Sequence, residues 1–261
     1  RRGRLHSARA RALPRPARHG PAPCPGVVPH AFVELHIEQG PMLEANGVRI
    51  GAVTSVQGIS WQEVSVIGQS NHAGTTPMSL RHDPAYVAAE ITVFLRKLAA
   101  EFGGDQVCTV GKIDLHPNLT NVVPAKATLT LDVRNTDESR LQQAELRIAN
   151  FLTEIAASEG VTITTRKLAR FEPVIFDDQV IDTVESIAKQ QGNSVQRMPS
   201  GAGHDAQMLA RVCPSGMIFV PSVKGISHNP AEFTESIDLE AGANILLHTM
   251  LALTTLDKST N

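Results

Sequence analysis

Between Trp61 and Arg170 the hydrophobic pattern switches repeatedly between a two-residue and a helical period. Trp61 to Ile67 alternates as a strand. Asp83-Pro84 then opens a helix, with an N-cap side chain followed by a proline whose missing N–H costs nothing in the first turn. The helix runs to about Phe102 and stops at Gly103-Gly104. Val107 to Ile113 and Ala127 to Arg134 read as half-buried strands. Asp137 or its neighbours cap a second helix whose apolar positions are Leu141, Leu146, Ile148, Ala149, Leu152 and Ile155; Gly160 ends it, and Val161 to Thr165 is a further strand. The succession strand, helix, strand, strand, helix, strand is the split βαβ order of a ferredoxin-like unit.

On either side of this unit the rhythm differs. Phe32 to Ile37 alternates so that Glu34, His36 and Glu38 share one side and Val33, Leu35 and Ile37 the other. After residue 171 come a helix from Asp178 to Gln191, a glycine-rich turn at Gly201-Ala202-Gly203, a buried strand Met217 to Val220 and a helix from about Asp238 to Leu256. The chain is therefore α/β, with residues 31–58 and 171–261 forming one layered domain and residues 59–170 inserted in it.

Composition narrows the function. With 24 basic and 26 acidic side chains the formal charge is −2, so nothing in the overall balance favours nucleic acid or an anionic membrane. Cys24, Cys108 and Cys213 are isolated and odd in number, which fits a reducing cytoplasm and no thiolate metal site. No apolar run approaches the roughly 18 residues of a membrane-spanning helix. Residues 1–30 are rich in Arg, Ala and Pro, hold no acid and show no period. They read as a disordered segment and a truncated or out-of-frame beginning. Before Glu34 there is no Asp or Glu at all.

Six motifs occur in order. They are Glu34-Leu35-His36-Ile37-Glu38-Gln39-Gly40-Pro41; Asn71-His72-Ala73-Gly74-Thr75-Thr76-Pro77-Met78; Asn121-Val122-Val123-Pro124; Asp132-Val133-Arg134; Ser200-Gly201-Ala202-Gly203-His204-Asp205-Ala206; and Gly225-Ile226-Ser227-His228-Asn229-Pro230. Together they resemble the N-carbamoyl-L-amino-acid hydrolase and allantoate amidohydrolase group, the hydantoinase/carbamoylase branch of the aminoacylase-like dinuclear metallohydrolases. The resemblance covers about Ala31 to Leu256. It implies a zinc-exopeptidase-like catalytic layer, incomplete at its start, with the inserted domain acting as lid and homodimer interface. It also implies hydrolysis of a ureido C–N bond by water activated at two divalent ions (zinc, manganese or cobalt), with a glutamate as general base.

Residue by residue, the resemblance makes His36 and His228 metal ligands, one on each ion. Gln39, His72, Asn121, Arg134 and His204 become substrate-binding positions, with His72 and His204 catalytic through the charge developing on the carbonyl oxygen. The chemistry suits each role. Imidazole ligates zinc, manganese or cobalt, a guanidinium fork grips a carboxylate, and amides recognise a ureido group. The plainer alternative for Arg134 is pairing with Asp132 or Asp137. Glu38 and Glu232 are expected to hydrogen-bond near the ligands or cap a helix rather than bind metal. The family's bridging Asp, Glu ligand and glutamate base belong to a portion that the resemblance does not reach. The expectation is therefore an impaired hydrolase, with a noncatalytic dimerising or ligand-binding module and an aminoacylase-like peptidase as the alternatives.

Overall fold

The computed structural model of the chain describes residues 29–256. Two sheets organise it. The first is mixed, built from β1 (Phe32–Ile37), β2 (Ile50–Val56), β9 (Val174–Ile175), β10 (Val195–Ser200) and β11 (Ser215–Val220). Its order is β1-β11-β2-β10, with β9 pairing β2. β1 runs parallel to β11 and β10 parallel to β2, while β11 and β2 are antiparallel. Helices α4 (Asp178–Gln190) and α6 (Ser236–Leu256) contribute Ile181, Val184 and Ile245 to the core of this sheet. A Cβ at Gly242 of α6 would meet Leu35 and Val220, so those residues face α6. The residues between them in sequence, among them Glu34, His36 and Phe219, take the opposite face. Ala206 of the short helix α5 (Asp205–Leu209) donates its N–H to Glu34 there.

The second sheet holds β3 (Gly58–Ile67), β5 (Val107–His116), β7 (Lys126–Asn135) and β8 (Thr162–Phe171), antiparallel throughout in the order β5-β7-β3-β8. Helices α2 (Pro84–Phe102) and α3 (Glu138–Glu159) share one core with Val64, Val66, Leu129, Leu131 and Val133, which places both helices on one face. Asp83 accepts from the N–H groups of Ala85 and Tyr86, and Asp137 from that of Arg140, so both helix starts are closed by the side chains that the sequence singles out. A small ladder joins β4 (Asn71–His72) to β6 (Val122–Val123).

Strand ends differ from the alternation where backbone pairing outlasts it. β3 begins at Gly58, opposite Asn135, and β8 continues to Phe171, opposite Ile59. The sequence pattern passes over β2, whose near-continuous burial hides any period, and β10, an edge strand with Pro199 at a register shift. It also passes over α1 (Met42–Asn46). The Arg/Pro-rich segment expected over residues 1–30 lies outside the described residues except at Pro29 and His30. His30 is fixed to the fold, its Nε2 3.1 Å from the carbonyl oxygen of Leu253. No helix among the described residues is long and apolar enough to cross a membrane.

Candidate functional site

β1 and β11 run side by side in the same direction, so the loops that follow them emerge together. Glu38 continues the ladder through its N–H to the carbonyl of Val220 and then turns its carboxylate onto α1. The carboxylate oxygens accept from Met42 N at 2.7 Å and Leu43 N at 2.8 Å. Glu38 is thus a helix cap, satisfying two orphan amides that would otherwise lack partners.

A cleft of about 1030 Å³ lies between these loops and the second sheet. Gln39, Gln57, Arg134, Gly201, Phe219 and His228 line it. Three non-glycine residues among those described have a left-handed backbone, and two of them, Gln39 at φ 58° and His228 at φ 56°, are in this cleft. Such conformations cost about 1–3 kcal/mol each and persist where surrounding contacts hold them. Here the N–H of Gln39 donates to Ser222 Oγ at 3.0 Å. The N–H of His228 donates to Glu232 Oε2 at 3.1 Å, and that oxygen also accepts from Ser227 Oγ at 2.7 Å. The Ser227 hydroxyl and the His228 amide together hold the Glu232 carboxyl below the ordinary carboxylate range. Gln39 Nε2 completes the chain, 3.2 Å from Ser227 Oγ.

Arg134 reaches the cleft from β7. Its Nε and Nη2 form a two-point pair with Asp132 at 2.8 and 2.7 Å, and Nη1 donates to the carbonyl of Gly201 at 2.6 Å. Its guanidinium carbon lies 5.8 Å from the Trp61 ring centroid. The plainer alternative, pairing with Asp132, therefore coexists with a position in the cleft. Arg134 also ties the second sheet to the glycine-rich turn of the first.

His36 and His204 meet edge to face with ring centroids 4.5 Å apart. His36 Nδ1 lies 2.8 Å from the carbonyl of Ile37, which leaves Nε2 as its outward nitrogen. The sequence places His204 beside the substrate. In the structure its side chain is 4 % exposed, lies 5.8 Å from Phe219 by ring centroids and sits with Nε2 3.1 Å from Ser200 Oγ. Burial, then the neighbouring His36, push its pKa down to about 4. The ring is neutral at pH 7, and it lines no part of the cleft.

His72 and Asn121 are together, but elsewhere. His72 stands in the β4–β6 ladder opposite Val122, and Asn121 lies just before β6, where its carbonyl accepts from Ala73 N at 2.9 Å. His72 Nδ1 accepts from Gly74 N at 3.0 Å and Thr75 N at 3.3 Å, so its proton resides on Nε2. Neither residue lines the cleft of its own chain. The sequence reading missed Ser222, Ser227 and Gln57. Each is a polar residue beside a loop or strand end and carries no periodic signal.

His36 and His228 offer imidazoles, but the adjacent carboxylates are committed: Glu34 to Ala206 N, Glu38 to α1 and Glu232 to Ser227 and His228 N. Among the described residues no group of three or more His, Cys, Asp or Glu is placed to hold a metal ion. These residues do not by themselves fit two ions bridged by a carboxylate.

Comparison with known proteins fits the order of the six motifs. The chain is 41 % identical over 229 residues to an N-carbamoyl-L-amino acid amidohydrolase of Geobacillus stearothermophilus, covering 88 % of this chain and 56 % of that protein. It is 41 % identical over 216 residues to an allantoate amidohydrolase of Escherichia coli strain K12, covering 83 % and 53 %. The crystal structure of an amidase of the hydantoinase/carbamoylase family from Burkholderia multivorans superposes with a TM-score of 0.86 at 40 % identity, covering 90 % of this chain and 57 % of that one. The chain thus spans about half the length of the curated relatives it matches. The profile of Peptidase family M20/M25/M40 matches residues 24–252, taking in both sheets and the cleft between them, and the chain belongs to that family.

Proposed function

We propose that the chain is the substrate-binding, lid-bearing part of an amidohydrolase that cleaves the C–N bond of an N-carbamoyl-L-amino acid or a related ureido acid. The observation carrying this reading is the convergence of Gln39, Arg134 and His228 on one cleft at the junction of the two sheets. Arg134 would take the carboxylate of the ligand, with Asp132 and Gly201 holding its guanidinium in place. Gln39 would take the ureido end. The second sheet, with two helices on one face, serves in this reading as a ferredoxin-like lid and homodimer interface. His72 and Asn121 would then serve the cleft of the partner subunit, and the proton fixed on His72 Nε2 suits it to donate to a carbonyl oxygen. In the whole enzyme a pair of divalent ions would supply water activation, with His36 and His228 as terminal ligands. Because the described residues do not complete such a site, no catalytic step is assigned to this chain.

That same donor set favours a second reading, a dimerising or ligand-binding module without turnover. Calorimetric titration with an N-carbamoyl-L-amino acid, alongside metal analysis after dialysis against manganese or zinc, separates the two. Binding that Arg134→Met weakens at least about tenfold is expected, because one charge-assisted pair is removed. Fewer than two ions per chain and no turnover are expected with it. Equal binding by the variant would overturn the carboxylate role of Arg134. Two tightly held ions with turnover would overturn the impairment.

A further inference from the structure

We infer that Glu232 is a positioning residue that, through Ser227, orients the Gln39 side chain with its carbonyl toward the cleft and so selects ligand groups that donate N–H. The inference rests on the reading of this cleft as a ureido-acid site. An ionised carboxylate accepts and never donates, so the hydrogen between Ser227 Oγ and Glu232 Oε2, 2.7 Å apart, comes from the serine. With its one hydrogen spent, Ser227 Oγ meets Gln39 only as an acceptor. The Gln39 atom 3.2 Å away is therefore the NH₂ group, and the opposite amide orientation would set two lone pairs against each other. Gln39 cannot escape by moving its backbone, which Ser222 Oγ holds in the left-handed region. No hydrogen bond reaches Gln39 Oε1 from the described residues, so the amide's acceptor is left for a ligand. A ureido or carboxamide NH₂ satisfies it, while a carboxylate at the same place meets it oxygen to oxygen.

Succinamate and succinate are matched probes, equal in length and alike at the carboxylate that Arg134 would hold. They differ in whether the far end donates N–H. For the wild-type chain we expect succinamate to bind at least about tenfold more tightly, since a site built around an N–H partner rejects an analogue lacking it. In Glu232→Gln the new amide can donate to Ser227, which frees the serine hydrogen for Gln39 Oε1 and lets the Gln39 amide turn. The tenfold ratio should fall to near unity, with binding of the shared carboxylate end retained. The Gln39 side-chain amide resonances report the same event without ligand. The wild type should show a nuclear Overhauser contact between a Gln39 Nε2 proton and the Ser227 methylene, and Glu232→Gln should lose it. An unchanged contact together with an unchanged probe ratio in Glu232→Gln overturns the inference. If the contact behaves as expected but neither probe binds, or Arg134→Met binds both as the wild type does, the ureido-acid reading fails instead. The selectivity then fails with it, while the orientation of Gln39 by Glu232 stands.

Discussion

At the level of single residues, environment decides which side chains keep their ordinary chemistry. Cys108 on β5 is partly covered by the core of the second sheet, and burial raises its thiol pKa to about 11 from an ordinary value of 9.0. Asp132 raises it further, and the contact with Gln106 opposes the shift. The thiol is the protonated form, so at pH 8 iodoacetamide should alkylate Cys108 at least about tenfold more slowly than a free thiol. Mass spectrometry of the labelled chain checks this, and labelling at the free-thiol rate would show that the site is open. The linkage has a definite sign: between about pH 9 and 11 the unfolded thiol ionises while the folded one does not. The unfolded state therefore binds fewer protons, and stability falls as pH rises through that window. Legibility in sequence is uneven at this scale. His36, His228, Gln39 and Arg134 could be marked from motifs, and helix capping is one of the two non-ligand roles expected of Glu38, although the sequence pattern passes over α1 itself. The burial of His204 against His36 and Phe219 and the approach of Gln39 to Ser227 could not, since both depend on contacts between segments distant in the chain.

At the level of elements, the parts that could be read were those whose ends are chemically closed. Asp83, Asp137 and Gly160 mark α2 and α3 because side-chain capping and the left-handed C-terminal glycine leave a local signature. β2 and β10 carry none, being set by pairing with distant strands. Gly160 also allows a comparison. Its φ is 62°, and an added Cβ would lie 2.6 Å from the ring of His82, whose Nδ1 is held 2.9 Å from the Glu159 carbonyl. Gly47 ends α1 at φ 63° with nothing within 4 Å. Both alanine variants meet the left-handed backbone penalty of about 1–2 kcal/mol. Only Gly160→Ala must also displace His82 and lose its hydrogen bond, worth about 1 kcal/mol more. Urea unfolding should therefore rank Gly160→Ala as the more destabilised, and equal losses would mean that the His82 contact carries no energy.

For the whole molecule, the surface of the first sheet is the feature with consequences. Among the described residues β1 pairs on one side alone, with β11, and its other edge offers unpaired backbone groups. Beside it α6 leaves Ile237, Leu239, Leu247, Met250 and Leu251 exposed, at 45–58 % of their surface. The same helix also exposes Glu240, Asn244 and His248, and an apolar patch among them next to an open strand edge favours self-association. Beside the closed dimer through the lid that we propose above, an open-ended association through β1 and α6 would then compete. The two separate by stoichiometry and by mutation. Leu247 and Leu251 lie one turn apart on α6, more than half exposed and outside the core, so replacing both by glutamate should cost little folding stability while charging the patch. Sedimentation of the wild-type chain should show mass rising with concentration beyond a dimer. In Leu247→Glu/Leu251→Glu the larger species should vanish and the distribution should saturate at two chains. A variant that remains as large as the wild type would move the sticky surface away from α6. One that becomes strictly monomeric would mean that the α6 face carries all the association and the lid none, which removes the geometry by which His72 would reach a partner's cleft.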